Sequence, residues 1–163
     1  MELVPATQDD LSVTLALETD PRVMAELGGP WPDEVVAATH ARRIKTIAED
    51  GNWWFKVVPE PDAPAVGTIG LWASEVDGEA VSETGWMILP EHQGRGHASA
   101  ALALLIEQSR ADGRWGDIHA FPGVTNAPSN ALCRKFGFEH IGTMTADYSG
   151  RNLACNHWVL RAG

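Results

Sequence analysis

A short glycine-rich loop between an apolar run and an Ala/Leu-rich run is the part of this chain best suited to chemistry. Residues 86–89 have the pattern of a strand, which Pro90 ends. A loop with Gly94 and Gly96 follows, and residues 100–106 have the pattern of a helix. Glycine lets a backbone approach a ligand closely, and the first turn of a helix presents N–H groups that have no intrahelical partner. The order of strand, loop and helix therefore predicts an anion site built from backbone, and a pyrophosphate is the expected anion.

Three phosphate-binding patterns compete for this loop. A nucleotide P-loop ends in Gly-Lys-Ser/Thr, which is absent. A dinucleotide fingerprint needs three glycines and a later acidic residue for the ribose, and only two glycines stand here. The pattern Gln/Arg-x-x-Gly-x-Gly/Ala is filled by Gln93, Gly96 and Ala98. A strand-to-helix turn that binds nothing is the alternative for such a match when it stands alone.

Length and composition are those of one globular domain, expected to span residues 1–163. The chain is 44% hydrophobic and 21% charged. No apolar run approaches the roughly 18 to 20 residues that a membrane span needs, and the N-terminus lacks the pattern of a signal peptide. A cytoplasmic protein is therefore expected, in which Cys133 and Cys155 are free thiols rather than a disulfide.

The net charge of −10 is unevenly distributed. Residues 1–91 hold 17 acidic and 5 basic side chains, whereas residues 92–163 hold 5 acidic and 7 basic ones. One interpretation is an acidic surface that aids solubility. The other is that the C-terminal half holds an anionic cofactor while the N-terminal half attracts a cationic acceptor. Nucleic acid is not an expected partner, because no basic stripe is present to neutralise phosphates.

Periodicity and turn residues predict an α/β or α+β protein with a mostly antiparallel sheet covered by helices. Strands are predicted at residues 2–4, 53–58, 65–73, 81–89, 117–121, 138–145 and 154–161. Helices are predicted from Thr7 to about 18, from Pro21 to the glycines at 28–29, over 32–50, from the glycine-rich loop to about 111, and over 128–136. The proline-rich residues 59–64 are predicted to form a hairpin loop.

A second motif lies downstream, over residues 126–138. It begins at Asn126, continues through Ser129 and ends in Lys135-Phe136-Gly137-Phe138. With this motif the chain resembles the GCN5-related N-acetyltransferase (GNAT) superfamily, and more narrowly its ribosomal-protein N-terminal acetyltransferase-like (RimJ/RimL-type) branch. The branch's motif reads Asn-x-x-Ser, six residues, then Lys-x-Gly-Phe, whereas five residues separate Ser129 and Lys135 here. Residues 20–24 and 83–88 also look like the branch's N-terminal helices and fourth strand.

The resemblance implies a GNAT fold, a mixed and mostly antiparallel sheet of about seven strands flanked by helices, and acetyl-CoA as the acetyl donor. It implies that the backbone of Met87, Ile88 and Leu89 pairs with the pantetheine arm, since an extended arm with amides can add to a strand edge. Asn126 and Ser129 would contact the cofactor from the second motif. The pyrophosphate would be held by the loop and the first helical turn: Gln93, Gly94, Arg95, Gly96, His97, Ala98 and Ser99.

Acetyl transfer to an amine needs two proton movements, and the resemblance suggests a residue for each. Glu83 is the expected base, because it lies within the strand that leads to the cofactor-binding residues. Its alternative is an exposed acid on a strand. Many family members protonate the departing thiolate with a tyrosine in the second motif, a position that Cys133 fills here. The narrower branch offers the motif serine, Ser129, although a hydroxyl at a helix start can equally cap the helix.

The acceptor side is expected to involve Trp31, Glu83 and Tyr148. Trp31 lies between two prolines in a loop that walls the acceptor pocket in this family, and Tyr148 is the single tyrosine. No metal site is expected, because His92 and His97 flank the loop without a third ligand.

The sequence thus predicts an acetyl-CoA-dependent N-acetyltransferase in which a bound primary amine attacks the donor directly in a ternary complex. The acceptor is expected to be a small-molecule amine or a peptide or protein N-terminus, and neither nucleic acid nor a membrane is an expected partner. The missing motif tyrosine keeps a second hypothesis open, a non-catalytic acyl-CoA-binding sensor or regulatory module. The sequence leaves a monomer and a homodimer both open.

Overall fold

The computed structural model describes residues 1–163 and contains one seven-stranded sheet in the order β1-β2-β3-β4-β5-β7-β6. The strands are β1 (Glu2–Pro5), β2 (Trp53–Val58), β3 (Gly67–Val76), β4 (Glu79–Ile88), β5 (Ile118–Ala120), β6 (Glu139–Tyr148) and β7 (Arg151–Leu160). Only β4 and β5 run parallel, and every other neighbouring pair is antiparallel. The predicted fold class, a mostly antiparallel sheet with helices, is confirmed.

Five α-helices flank the sheet: α1 (Leu11–Glu18), α2 (Pro21–Met24), α3 (Asp33–Glu49), α4 (His97–Asp112) and α5 (Ala127–Lys135). Thr7 and Asp10 form the expected reciprocal cap, with the Thr7 N–H donating to the Asp10 carboxylate at 2.7 Å. They close a 3₁₀ turn, Gln8–Asp10, so that α1 itself begins at Leu11. None of the helices has the length and apolar character that crossing a membrane would require.

Two hairpins are longer than the sequence pattern predicts. Their tips are the dipeptides Asp77-Gly78 and Ser149-Gly150, and all four residues have φ between 50° and 87°. Two central residues in this left-handed region form a turn whose twist matches that of paired strands. Pairing therefore continues to residues 76 and 79 and to residues 148 and 151. The predicted strand ends at 73, 81, 145 and 154 were wrong, because polar residues near a tight turn resemble loop residues in sequence.

The main hydrophobic core lies between the sheet and the face of α4. On the helix it contains Leu102 and Leu105, both completely buried, and on the sheet it contains Ile69 and Leu71. Burying one such side chain contributes about 1.5–3 kcal/mol. Because this face of α4 is held rigidly, the position of the helix N-terminus relative to the end of β4 is fixed as well.

Helices α1 and α3 lie on the opposite face of the sheet, where aromatic and charged side chains make the contacts. The rings of Trp54 on β2 and Trp72 on β3 stack with centroids 4.7 Å apart. The Arg43 guanidinium of α3 lies 5.0 Å above Trp54 and forms an ion pair with Glu18 of α1, which is 3% exposed. A buried ion pair thus ties two helices to the aromatic pair on the sheet.

Helix α5 is positioned by the buried side chain of Asn130. Its amide nitrogen donates to the carbonyls of Gly123 at 2.9 Å and Asn126 at 2.8 Å. Its amide oxygen accepts from Trp158 Nε1 and Asn156 Nδ2, both at 2.9 Å. One side chain therefore connects α5, the preceding loop and β7, and it holds the start of α5 beside the end of β5.

Candidate active site

The two parallel strands separate after a short paired segment. Strand β4 pairs with β5 only over residues 82–84, then continues to Ile88 with β3 as its single partner. The Leu89 N–H donates to the Val66 carbonyl at 2.9 Å, on the β3 side. The Ile88 carbonyl accepts from the Gln93 side chain, also at 2.9 Å. The edge of β4 over residues 85–88 thus has no strand partner, which is the geometry that an extended amide-bearing arm needs.

The glycine-rich loop directly follows this open edge. Gly96 precedes α4 with φ +82°, and Gly94 has φ +72°. A Cβ at either glycine would meet no atom within 4 Å, so the space above the loop is open. No side chain caps α4, which leaves the N–H groups of its first turn facing this space. The residues present therefore fit the pyrophosphate of coenzyme A, which suits unpaired N–H groups at a helix N-terminus.

A lysine from α5 reaches the same helix terminus. Lys135 Nζ donates to Ser99 Oγ at 2.6 Å, within the first turn of α4. A helix N-terminus already carries partial positive charge, so an ammonium there is favoured only when an anion lies nearby. Arg134, next to it, instead lies 5.7 Å from the Trp158 ring, and Arg95 extends exposed from the loop. Of these three basic residues, Lys135 is the one that contacts the first turn of α4.

The start of α5 presents Asn126 and Ser129 at the end of β5. Asn126 is the helix cap, since its Oδ1 accepts from the Ser129 N–H at 3.2 Å. The sequence leaves open whether Ser129 serves as a cap or as a proton donor. In the structure Asn126 caps the helix, so the Ser129 hydroxyl is not needed as the cap.

Glu83 lies on β4 at the segment where β5 pairs with it. Its register neighbours are Trp72 on β3 and His119 on β5. Burial raises the pKa of Glu83, although the side chains of Ser74 and Trp72 partly oppose this effect. A carboxylate with a raised pKa is a stronger base than an exposed one, and such groups cluster at catalytic sites.

A pair of histidines lies beside Glu83. His119 Nδ1 and His157 Nε2 are 2.8 Å apart, and the ring of Phe121 stacks on His157 with centroids 4.7 Å apart. Burial lowers the pKa of His119, as does the neighbouring His157, and burial also lowers the pKa of His157. Burial raises the pKa of Cys155, and the charge of Glu83 raises it further. These four ionisable groups therefore form one cluster on β4, β5 and β7.

Trp31 and Tyr148 meet in a separate cleft of about 370 Å³, which Glu18, Glu34 and Arg43 also line. Burial raises the pKa of the Tyr148 hydroxyl, and the nearby charge of Glu18 adds to the shift. The cleft lies beside α3 and the tip of the β6–β7 hairpin. The structure thus brings together two of the three predicted acceptor residues, while Glu83 does not line this cleft.

Cys133 is completely buried in the main core, and Cys155 is 2% exposed. Both thiols are free. Burial raises the pKa of Cys133 to about 12, so its thiol stays protonated and unreactive at neutral pH. No group of three or more His, Cys, Asp and Glu side chains is arranged to hold a metal ion.

A family model described as an acetyltransferase (GNAT) domain matches residues 1–139. The chain belongs to the GNAT acetyltransferase family. The matched range includes both β4 and the glycine-rich loop at the start of α4, where the sequence motif was found. No curated protein shows significant sequence similarity to the chain.

Solved GNAT-fold structures superpose over nearly the whole chain. A ribosomal-protein-alanine N-acetyltransferase from Brucella melitensis is 25% identical, with a TM-score of 0.77 and 99% of each chain covered. A GNAT acetyltransferase from Bacillus anthracis is 18% identical, with a TM-score of 0.78, 98% of this chain and 93% of that chain. A ribosomal-protein alpha-N-acetyltransferase in complex with coenzyme A is 17% identical, with a TM-score of 0.78, 98% of this chain and 92% of that chain.

One contact that shapes this GNAT domain has no signal in the sequence. Arg151, at the start of β7, donates to the carbonyls of Leu27 at 2.8 Å and Gly29 at 2.5 Å. Its guanidinium also lies 3.5 Å from the centre of the Trp31 ring. Arg151 thereby holds Trp31 against the β6–β7 hairpin. The partners are more than 120 residues apart in the chain, so no local spacing could reveal the contact.

A second unpredicted residue is Glu26, which follows α2. Its Oε2 accepts from the Thr125 hydroxyl at 2.6 Å. A Cβ at Gly123 would lie 3.4 Å from the Glu26 backbone carbonyl and from its carboxylate. A side chain at position 123 would therefore lie in van der Waals contact with Glu26. Glu26 thus places an acidic group beside the loop that leads from β5 to α5.

Proposed function

We propose that this protein is an acetyl-CoA-dependent N-acetyltransferase, acting in a ternary complex in which a primary amine attacks the acetyl group directly. The observation that carries the proposal is the arrangement on β4. A half-buried carboxylate with a raised pKa, Glu83, lies on the same strand as an open edge that leads into an uncapped helix terminus. One strand thus joins a base to a binding site for an anionic donor, and residues 1–163 act as a single domain.

The donor would lie along the open edge and end at the loop. Residues Met87–Leu89 would offer the strand edge, and Asn126 and Ser129, at the start of α5, would contact the donor from the second motif. The loop Gln93–Ser99 offers its backbone N–H groups, assisted by the Lys135 ammonium. Bound acetyl-CoA supplies an acetyl group activated as a thioester.

Two residues of the chain would move protons. Glu83 takes a proton from the acceptor ammonium, directly or through water, which makes the nitrogen nucleophilic. Ser129 donates a hydrogen bond to the departing sulfur, a role for which its hydroxyl is available because Asn126 caps the helix. Cys133 takes no part, because its thiol is buried in the core and protonated.

The acceptor would be a small-molecule amine or a peptide or protein N-terminus. In the cleft of Trp31 and Tyr148, the Glu34 carboxylate is the group that would attract an ammonium, because Glu18 is already paired with Arg43 and the Trp31 ring with Arg151. The acidic N-terminal half of the chain adds long-range attraction for a cation. Membership of the RimJ/RimL-type branch is part of the proposal, supported by the 25% identity to a ribosomal-protein-alanine N-acetyltransferase.

Thiol release from acetyl-CoA, measured against a panel of amines and N-terminal peptides, tests this function. We expect amine-dependent thiol release with at least one member of the panel, and a mass increase of one acetyl group on that amine. The competing hypothesis is a non-catalytic acyl-CoA sensor. Tight binding of acetyl-CoA with no turnover on any amine, measured by calorimetry and thiol release on the same preparation, would establish the sensor instead.

The Gly96→Val variant tests where the donor binds. Valine is strained at φ +82°, and its side chain would fill the open space over the loop. We expect the calorimetric Kd for coenzyme A to rise by about tenfold or more, which corresponds to about 1.4 kcal/mol or more.

Gly113→Val is the matched control for this variant. Gly113 ends the same helix with φ +78°, and its Cβ position is equally open. It should cost similar stability in a melting experiment without changing the affinity for coenzyme A. Equal affinities of the two variants would contradict the assignment of the loop to the pyrophosphate.

A further inference from the structure

Three ionisable side chains form a row across β4, β5 and β7 on one face of the sheet. Glu83 on β4 is the register neighbour of His119 on β5. Side chains at paired positions of adjacent strands lie side by side, with the strands about 4.8 Å apart. His119 is in turn 2.8 Å from His157 on β7, nitrogen to nitrogen. Glu83, His119 and His157 therefore occupy neighbouring positions on three strands, although the carboxylate of Glu83 also has Ser74 and Trp72 of β3 as partners.

The proposed reaction releases a proton that these side chains could carry away from Glu83. Transfer of acetyl from a thioester to an ammonium yields an amide, a thiol and one free proton. One of the two protons lost by the nitrogen ends on sulfur, and the other must leave through the base. Glu83 is withdrawn from solvent between its strand neighbours, and burial raises its pKa. It therefore needs a route by which to lose the proton before the next turnover.

We propose that His119 and His157 form a proton relay between Glu83 and the solvent. This inference rests on the proposed function. The His119 ring accepts the proton on Nε2, the nitrogen that His157 does not use. The hydrogen bond between Nδ1 of His119 and Nε2 of His157 passes a proton on, and Nδ1 of His157 releases one to water. The O–H bond of protonated Glu83 breaks, N–H bonds form and break on the two rings, and a water molecule gains the released proton, so the proton count is conserved. Exchange of the ring protons with water then restores the starting tautomers.

The geometry of the pair suits this task. In a hydrogen bond between two imidazoles one ring donates and the other accepts, so a proton arriving at one end can be matched by a loss at the other. Phe121 stacks near both rings, with interplanar angles of 25° to His119 and 30° to His157. These contacts hold the rings in place. Because burial lowers both pKa values, the pair is neutral at pH 7 and does not retain a proton that it receives.

Charged groups around the two histidines shift their pKa values in opposite directions. Asp117, just before β5, favours the protonated form of His119, and Asp77 in the β3–β4 turn favours that of His157. Arg161, just beyond β7, disfavours protonation of both rings. Cys155, two residues before His157, is a neutral thiol whose pKa is raised. Glu26 lies at Gly123, beside β7. The facing groups thus include acids that can steady a passing imidazolium.

The buried histidine elsewhere in the protein shows the contrast. His40 has both ring nitrogens occupied, by the Thr14 hydroxyl at 2.8 Å and by the Thr7 carbonyl at 2.9 Å. It links α3 to the N-terminal segment and has no nitrogen to spare. His119 and His157 are bonded chiefly to each other, which leaves one nitrogen on each ring. A purely structural role explains the first arrangement but gives no reason for the second.

The variants His119→Gln and His157→Gln test the relay in the full-length protein with an amine accepted by the wild type. Glutamine retains hydrogen bonding and similar size but cannot carry a proton. We expect kcat at pH 7 to fall about tenfold in each variant. This loss is smaller than the loss expected when the base itself is removed. KM for acetyl-CoA should stay unchanged, and added imidazole should restore part of kcat in His157→Gly. The control His140→Gln, an exposed histidine bonded to Asn156, should behave as wild type.

The possible outcomes separate the relay from the function on which it rests. If the wild type turns over and both glutamine variants keep wild-type kcat, the relay is wrong while the proposed function stands. If kcat falls but imidazole does not rescue His157→Gly, and melting temperatures fall in parallel, the pair is structural and the relay is likewise wrong. If the wild type acetylates no amine, the proposed function and the relay fail together.

Discussion

Replacing Glu83 with glutamine is expected to lower kcat by about 10²- to 10⁴-fold at pH 7, the contribution typical of a general base. Glutamine fills the same space between Trp72 and His119 but cannot accept a proton from the acceptor. KM for acetyl-CoA should change little, because the donor contacts the end of β4 and the loop rather than position 83. Steady-state thiol release for wild type and variant, with the best amine of the panel, measures both constants.

The pH dependence of kcat in the wild type is a second test of Glu83 as the base. Burial raises the pKa of Glu83, so kcat should fall as the pH drops through a pKa higher than that of an exposed glutamate. The raised pKa also means that folding disfavours the ionised form, and its cost to stability appears as the pH rises through that pKa. Glu83→Gln removes this cost, so the variant should be at least as stable as the wild type at pH 7.

Glu75→Gln is the matched control for Glu83→Gln. Glu75 lies near the end of β3, paired with residue 80 of β4, and it is exposed. It shares the charge and the sheet environment but not the burial or the contact with β5. Its variant should keep wild-type kcat at every pH. A similar loss in both variants would show that net negative charge matters rather than a specific base.

The second large effect is expected on stability, from Arg43→Met. This change leaves the Glu18 carboxylate, 3% exposed, without its cationic partner. Removing one member of a buried ion pair costs about 3–5 kcal/mol, because the remaining charge stays buried. The guanidinium over Trp54 is lost as well. Chemical denaturation monitored by tryptophan fluorescence measures the free energy of unfolding directly.

Two further variants isolate the cause of this loss. Arg42→Met, at the adjacent and exposed position of α3, removes the same charge from the surface and should change stability by less than about 0.5 kcal/mol. The double variant Arg43→Met with Glu18→Gln removes both charges and should recover part of the loss. If the double variant is less stable than Arg43→Met alone, packing around Trp54 dominates and the unpaired charge does not.

The elements of the fold were predictable where the signal is local. The cap at Thr7, the first-turn proline at position 21 and the left-handed glycine at position 28 each act within a few residues, and all are observed. The hairpin tips were less predictable. The dipeptides Asp77-Gly78 and Ser149-Gly150 permit two-residue turns, but only cross-strand pairing shows that the strands extend to them.

For the candidate site, the two motifs predicted which segments meet but not what each side chain does. The sequence allowed either Asn126 or Ser129 to cap α5, and it is Asn126 that accepts from the helix N–H group. It placed Trp31, Tyr148 and Glu83 in one acceptor region, yet only the first two share a cleft. In both cases the outcome depends on distances of a few ångströms, which residue types and spacing do not specify.

The sequence by itself determined the fold class, the glycine-rich loop and the two motifs, because these rest on periodicity, turn chemistry and residue spacing along the chain. Only the tertiary structure decided that β4 separates from β5 to leave an open edge, that Arg151 holds Trp31, and that Glu83, His119 and His157 form one row. The physical reason is distance along the chain. Local rules act over a few residues, whereas these contacts join segments 36 to more than 120 residues apart.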